Sequence, residues 1–535
     1  MLDAPLVLPL DTHNQRLVDN VHPASWENPV PAETYHLVVL GAGTAGIAAA
    51  VGAADLGAKV AIVERRLLGG DRLNTGCVPS KAMLRAARAF SEARRCGEFG
   101  LRAAVEGDFA VAMERMRSMR AEVSAGDSAW RLRDLGIDVF LGEGRFSGLD
   151  TLEAAGATLQ FRRALIATGA RPAIPDLPGL VEVGFLSTES VFALTDLPRR
   201  LAVIGAGPAG CELAQAFARF GSQVTLLLRG DRPLPRAEEE SAILVQRALE
   251  ADGVRVVAQC RLLGVQRPQR SKVVQFELDG NQHQLPVDEI LVTAGRAANV
   301  QNLGLESAGV AFSPRGVEVD DRLQTTNPRI FACGDVTTAA RLAHVAEAQA
   351  RIVIQNALLG RKRKTTSLVV PRCAYTSPEI AQVGLRAAEL VQRGVRFETL
   401  TVALAENDRA RLDGAPQGSL RLHYRKGGDK ILGATLVSEH AGETIGELVM
   451  AIQHGVGLAA LAETIHPYPT QAEVVKRAAD AWRRAQLTKW TRRLFAFRFR
   501  RQEKQERRRI AQTRSQALAS GSGAGAAADR DVPPS

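Results

Sequence analysis

Residues 36–64 read HLVVLGAGTAGIAAAVGAADLGAKVAIVE. A short apolar run leads into a glycine turn, an alanine-rich stretch follows, and a second apolar run ends in an acid, which predicts strand, helix and strand in that order. Gly41, Gly43 and Gly46 carry the GxGxxG spacing, and Glu64 closes the second strand 23 residues after Gly41. In that arrangement Gly41 makes the tight turn, Gly43 admits a pyrophosphate to the backbone, and Gly46 lets the helix approach the strand. Glu64 accepts hydrogen bonds from a ribose, and free N–H groups at the helix start hold the phosphate charge. The ordered set favours a dinucleotide site over a simple glycine-rich turn.

The pattern recurs. Residues 199–229, RRLAVIGAGPAGCELAQAFARFGSQVTLLLR, place Gly205, Gly207 and Gly210 between an apolar strand and a helix. Two such units imply two bound nucleotides. In the second unit Leu228 stands near the position of the acid and Arg229 follows it. A carboxylate there would repel the 2′-phosphate of NADP, whereas an arginine pairs with it. NADPH is therefore preferred over NADH, the alternative, with Arg229 as reader and Arg232 or Arg236 assisting; solvated loop cations are the competing reading. Two further apolar runs, RRALIATGARP (162–172) and NPRIFACGDVTTAA (327–340), end in small-residue turns. Asp335 closes the second, where parallel sheets place ligand-binding groups, and a ribityl chain would satisfy it.

The length of 535 residues and 46% hydrophobic content predict two to four domains. Six cysteines, without a CxxC pair, argue against a disulfide scaffold or a structural zinc site, and no metal centre is expected. Neither a signal peptide nor a stretch of eighteen apolar residues is present, so a cytoplasmic location is expected. The net charge of +10 suggests nucleic acid until it is located: residues 482–509 hold twelve basic and two acidic residues, and the remainder balances. Aromatic and apolar side chains interleave with arginines in that tail, which could lie on anionic lipid at the inner face of the membrane. No nucleic-acid module accompanies it, so nucleic acid is not the expected partner.

Residues 69–81, GGDRLNTGCVPSK, hold one thiol, Cys77, with Arg72 five residues ahead. A thiolate there would gain from the field of the following helix and from Arg72 or Lys81. Packing is the alternative role for Cys77. Beyond residue 368 the pattern changes to alternating strands followed by helix, a separate α+β unit ending in AETIHPYPTQAEVVKRAAD (462–480). The last stretch, GSGAGAAADRDVPPS, is low in complexity and expected to be disordered.

With VVLGAGTAGIAAA, GGDRLNTGCVPSK, LIATGARP, AVIGAGPAGCELA, LVTAGRAAN, IFACGD, YTSPEIAQVG and YPTQAE in this order, residues 36 to about 480 resemble the flavoprotein disulfide reductases. That group contains glutathione reductase, dihydrolipoamide dehydrogenase and mercuric reductase, and the closest flavour is the mercuric-reductase-like branch. The resemblance implies an α/β fold with two Rossmann-like nucleotide-binding domains and a C-terminal α+β dimerisation domain. The expected division is an N-terminal surface arm (1–33), an FAD domain in two parts (34–189 and 286–367) and an NAD(P) domain (190–285). A dimerisation domain (368–480) and the basic, partly disordered tail (481–535) follow. FAD would be held by Gly41, Gly43, Gly46, Glu64 and Asp335, with Gly69, Gly70, Thr168, Gly169, Gly295 and Gly334 in the cofactor-facing loops. Lys81 would lie near the flavin and pair with Glu212. A homodimer is implied, each active site completed by the partner subunit.

Two departures carry mechanistic weight. The family's redox disulfide joins cysteines spaced CxxxxC; Cys77 matches the second, and Arg72 occupies the first. Arginine cannot carry out thiol exchange. The family's acid/base histidine aligns with Tyr468, backed by Glu473, while His466 lies two residues upstream; a surface packing role for both is the alternative. The expected function is an FAD-dependent NAD(P)H oxidoreductase that passes electrons to a small-molecule acceptor without the disulfide. A non-catalytic redox sensor or scaffold, or a mercuric or disulfide reductase using another cysteine, are the alternatives.

Overall fold

In the computed structural model, described for residues 6–102, 106–268, 271–337, 340–487 and 489–521, three sheets organise the chain. The first part contains α1 (Thr12–Val21), β1 (Leu37–Leu40), α2 (Thr44–Ala54), β2 (Val60–Glu64), α3 (Gly70–Asn74), α4 (Cys77–Arg94), α5 (Phe109–Ser124), β3 (Ile137–Leu141) and β4 (Ala164–Ile166). The middle holds β5 (Arg200–Ile204), α6 (Pro208–Phe220), β6 (Gln223–Leu227), α7 (Glu239–Ala251), β7 (Arg255–Val257) and β8 (Glu289–Val292). After it come β9 (Ile330–Ala332), α8 (Ala343–Ala357), β10 (Arg372–Ala374), β11 (Glu379–Gly384), β12 (Phe397–Ala403), β13 (Ser419–Arg425), β14 (Ile431–Ser438), α9 (Ala441–His454), α10 (Glu473–Ala485) and α11 (Lys489–Gly521).

The short apolar runs become strands buried on both faces, as parallel sheets require. The first sheet is wholly parallel in the order β9-β4-β1-β2-β3, with Val38 of β1 between Ala61 and Ala164. The second, β7-β6-β5-β8, is parallel as well. Both therefore present the turns after their strands at one edge, the place where doubly wound sheets bind ligands. The third sheet is antiparallel, β10-β11-β14-β13-β12, with α9 against β11 and β14. Residues 35–480 thus form two Rossmann-like α/β units and a C-terminal α+β domain.

The N-terminal residues depart from a surface arm. Leu17 and Val21 of α1, together with Trp26, are buried in the core of the first sheet. The physical reason lies in spacing: Leu17 and Val21 are four apart and share one helix face. At the other end α11 is a single exposed helix. Among the described residues no helix is long and apolar enough to cross a membrane. The low-complexity end beyond residue 521 lies outside the described residues.

Candidate active site

The two strand-to-helix turns share one backbone shape, with φ of +103° at Gly41 and +109° at Gly205, a region that favours glycine. A Cβ on Gly46 would collide with the Gly41 carbonyl, and one on Gly210 with the Gly205 carbonyl. Gly43 and Gly207 precede α2 and α6, and neither helix start is capped by a side chain. Each leaves its first N–H groups available to an anion.

Around the start of α2 the chain forms a cradle. A Cβ on Gly70 would lie 2.7 Å from Gly43 Cα, and the position of a Cβ on Gly334 is 3.4 Å from the Ala45 Cβ. Gly69 donates its N–H to Ala42 O at 2.8 Å. Glu64 accepts from the N–H groups of Ala42 (2.8 Å) and Arg66 (2.9 Å). Burial pushes its carboxyl above the usual range, against those two donors. Asp335, following β9, faces Arg296 at 3.4 Å, and Arg296 also pairs with Asp71. The Arg296 Nε is nevertheless buried without a hydrogen-bond partner. Burial likewise raises the Asp335 carboxyl. An uncapped helix, a glycine floor and a buried guanidinium Nε without a hydrogen bond fit a dinucleotide whose pyrophosphate would rest over α2. The loops after β4 and β8 meet nearby: Thr168 Oγ1 donates to Asn299 O (2.8 Å), Asn299 N donates to Gly169 O (3.0 Å), and Gly295 follows β8.

A second cluster joins three elements. Lys81 Nζ on α4 lies 2.7 Å from Glu212 Oε2 on α6. Glu212 is only 3% exposed, and its Oε1 accepts the Tyr375 N–H at 2.8 Å. The ammonium sits 4.6 Å from the centre of the Tyr375 ring. The buried carboxylate is thus satisfied on both oxygens. Beside it, a Cβ on Gly442 would come within 3.2 Å of both Cys373 Sγ and Glu379 Oε2. Burial pushes the Glu379 carboxyl up to about 7, opposed by the Gly442 N–H and Arg88. Burial and Glu379 also raise the Cys373 thiol.

Cys77, exposed, is the first residue of α4. The preceding turn folds back, so that a Cβ on Gly76 would lie 2.7 Å from Asp71 O and 3.8 Å from Arg72 Cα. The Arg72 guanidinium pairs with Asp127, whose side chain is 10% exposed. The guanidinium expected to support a Cys77 thiolate thus has a buried carboxylate as its ion-pair partner. All six cysteines are free. Cys96 follows α4, 19 residues beyond Cys77, and helical rise alone puts it roughly 28 Å away. Cys211 and Cys333 are buried, which pushes each thiol up to about 12.

The C-terminal acid/base candidates separate. His466 Nε2 is 3.0 Å from Glu447 Oε1 on α9, with its side chain 7% exposed. Tyr468, in contrast, is 70% exposed and donates to Asp408 Oδ2 at 3.1 Å. Glu473 acts on Tyr468 through its charge; it lies 3.5 Å from Arg477, and its Oε2 is buried without a hydrogen-bond partner. Asp408, which is distant in sequence, takes the tyrosine hydroxyl. The hydrogen bond to Asp408 and its charge push the Tyr468 phenol up, making it a donor rather than a base.

At the second nucleotide turn Leu228 is buried and Arg229 exposed immediately after β6. Arg232 pairs with Asp231 at 2.9 Å, and the Arg236 carbonyl accepts from Arg386 Nη1 at 3.1 Å.

The profile described as "Pyridine nucleotide-disulphide oxidoreductase" matches residues 35–350, and that of its dimerisation domain matches residues 370–479. The chain belongs to the pyridine nucleotide-disulphide oxidoreductase family. It is 35% identical to the mercuric reductase of Staphylococcus aureus over 447 residues, 83% of this chain and 82% of that protein. It is 34% identical to the dihydrolipoyl dehydrogenase of Bacillus subtilis (strain 168) over 458 residues, 84% and 96% of the two chains. Among solved structures, LpdA of Mycobacterium tuberculosis superposes with a TM-score of 0.77 at 27% identity, covering 83% of this chain and 99% of that one. The HOCl-induced flavoprotein disulfide reductase RclA of Escherichia coli gives 0.75 at 27% identity, with the same coverage.

Membership in this family implies FAD and NAD(P)H sites, and its dimerisation domain and homologous structures support a homodimer. Against that background the cradle and the Lys81–Glu212 pair assemble residues singled out in the sequence. Tyr375, Cys373 and Glu379 were missed, although the run PRCAYTSPE contains all three. Asp127, Asp408 and Glu447 have no sequence signal, because each is an isolated acid brought in by tertiary packing.

Proposed function

We propose that this chain is an FAD-dependent NAD(P)H oxidoreductase of the mercuric-reductase-like branch, with NADPH as donor, that delivers electrons to a small-molecule acceptor without a redox disulfide. The observation that carries this reading is the pairing of Arg72, five residues before Cys77, with Asp127, while Lys81 and Glu212 remain joined. When bound, FAD supplies a two-electron carrier between hydride donor and acceptor. The protein's part is to hold and orient. Glu64 would take the ribose, the start of α2 with Gly43 and Gly70 the pyrophosphate, and Asp335 the ribityl hydroxyls. Lys81, fixed by Glu212, would offer a positive charge to the negative charge gained by the ring on reduction. Arg229, assisted by Arg232 or Arg236, would read the 2′-phosphate.

Each turnover balances as one NADPH oxidised and one two-electron acceptor, a quinone or dye, reduced. Tyr468, exposed on its own subunit, would exchange its hydrogen bond to Asp408 for one across the homodimer, while His466 stays on Glu447. On this reading the protein works in the cytoplasm, and the exposed basic and aromatic residues of α11 support contact of the tail 482–509 with anionic lipid at the inner face of the membrane.

The test is steady-state turnover with NADPH and NADH against a quinone, glutathione disulfide and lipoamide. Quinone reduction with a lower KM for NADPH is expected. Rapid reduction of either disulfide would overturn the reading, and the absence of turnover with every acceptor would favour a redox sensor.

A further inference from the structure

The turn that carries Cys77 lacks the covalent tie its spacing provides in a CxxxxC arrangement, yet it is fixed by an array of buried polar contacts. Much of that array comes from residues ahead of position 35, where the family match begins. Asn14, Asn74 and Arg120 are 2%, 6% and 4% exposed. Arg120 Nη2 donates to Asn14 Oδ1 at 2.6 Å, and Arg120 Nη1 donates to Asn74 O at 2.8 Å. The Asn74 amide donates in turn to Leu68 O (3.0 Å) and Gly70 O (2.9 Å). Asn14 is anchored by its own N–H on Asp11 Oδ1 (2.7 Å) and by its side-chain amide on Pro9 O (2.7 Å). Asp11 also pairs with Arg117 of α5. Closer to the glycine loop, Leu68 N donates to Val21 O at 3.1 Å, and His22 Nδ1 meets Arg66 O. A continuous buried chain therefore runs from α1 through Arg120 to Asn74, three residues before Cys77, and to Gly70 against Gly43.

We propose that the N-terminal segment, residues 9–22, acts through Arg120 as a non-covalent strap that positions the Cys77 turn and the glycine floor of the dinucleotide cradle. Asn14 and Arg120 are positioning residues; neither touches the reacting atoms. The physical logic is one of local opening. Without a covalent link, residues 69–77 could open independently of the fold, and each buried hydrogen bond adds to the cost of that opening. The role assigned to the turn rests on the proposed function.

The experiment uses the full-length holoenzyme and follows hydrogen–deuterium exchange of the peptide spanning residues 69–77 by mass spectrometry, together with FAD release by flavin fluorescence. Asn14→Ala and Arg120→Met are compared with Asn20→Ala, which removes another contact between α1 and α5, the 2.8 Å bond to Ser124 Oγ. The strap predicts that Asn14→Ala and Arg120→Met accelerate both processes about tenfold, the scale of one lost buried hydrogen bond, while Asn20→Ala stays within twofold of wild type. If Arg120→Met fails to fold, Asn14→Ala carries the test, because it leaves Arg120 bonded to Asn74. Rates within twofold for Asn14→Ala, or equal acceleration by Asn20→Ala, would overturn the strap. Electron uptake per FAD on the same samples tests the functional reading separately: uptake of four electrons would sink that reading, whatever the exchange rates.

Discussion

Position 72 decides what Cys77 can do. A Cβ on Gly76 would lie 3.8 Å from Arg72 Cα, so the backbone already brings residue 72 beside the thiol turn. Arg72→Cys should therefore form a disulfide with Cys77. Thiol counting on the oxidised, denatured variant should give five, two fewer than its seven cysteines, whereas wild type gives all six; a count of seven in the variant would contradict the geometry. Glu379 offers a second test at this scale. Its folded carboxyl is raised to about 7 by burial, above an ordinary value near 4.5. Between those values the folded state holds more protons than the unfolded one, so this group costs stability as pH rises. Glu379→Gln should raise stability at pH 8 by on the order of 1–2 kcal/mol and leave it nearly unchanged at pH 4.5. Chemical denaturation at the two pH values checks the sign, and a larger gain at low pH would refute it. Lys81 and Glu212 were legible because their motifs are local. The Arg72–Asp127 pair was not, because nothing near residue 127 marks its carboxylate as the partner of a residue 55 positions away.

Among the elements, the strand–turn–helix units were the most legible part of the chain. Their glycines serve a steric purpose that sequence spacing records directly: at Gly46 and at Gly210 a side chain would meet the carbonyl of the first glycine. Gly46→Ala should purify with little FAD. Gly210→Ala should retain FAD and lose NADPH affinity by at least tenfold, the consequence of overpacking by about 1–3 kcal/mol. Flavin content and NADPH titration distinguish the two, and equal FAD loss in both variants would argue against separate sites. In contrast, α1 was hidden in the sequence. Its two buried apolar residues, Leu17 and Val21, form too short a stripe to stand out, and the polar side chain of Asn14 is buried through hydrogen bonds that only the folded structure supplies. Asp408 behind Tyr468 was hidden for the same reason, since the two are 60 residues apart.

For the whole molecule, charge is divided between a neutral body and a basic end. Trp490, Leu494, Phe495, Phe497 and Phe499 are exposed on α11, and Phe495 stacks on Phe499 at 6.1 Å. Basic residues near an anionic membrane contribute about 1 kcal/mol each, and that contribution is screened by salt. Full-length protein should sediment with vesicles containing phosphatidylserine at low salt and be released at high salt, while a chain ending at Leu487 should remain in solution. Equal binding by both would remove the tail from the account.

One flavin and one unpartnered thiol would leave a single two-electron centre per subunit. Anaerobic reductive titration, with the flavin spectrum recorded at each addition, measures this directly. Uptake of two electrons per FAD is expected. Uptake of four would reveal a second two-electron centre and restore a dithiol mechanism.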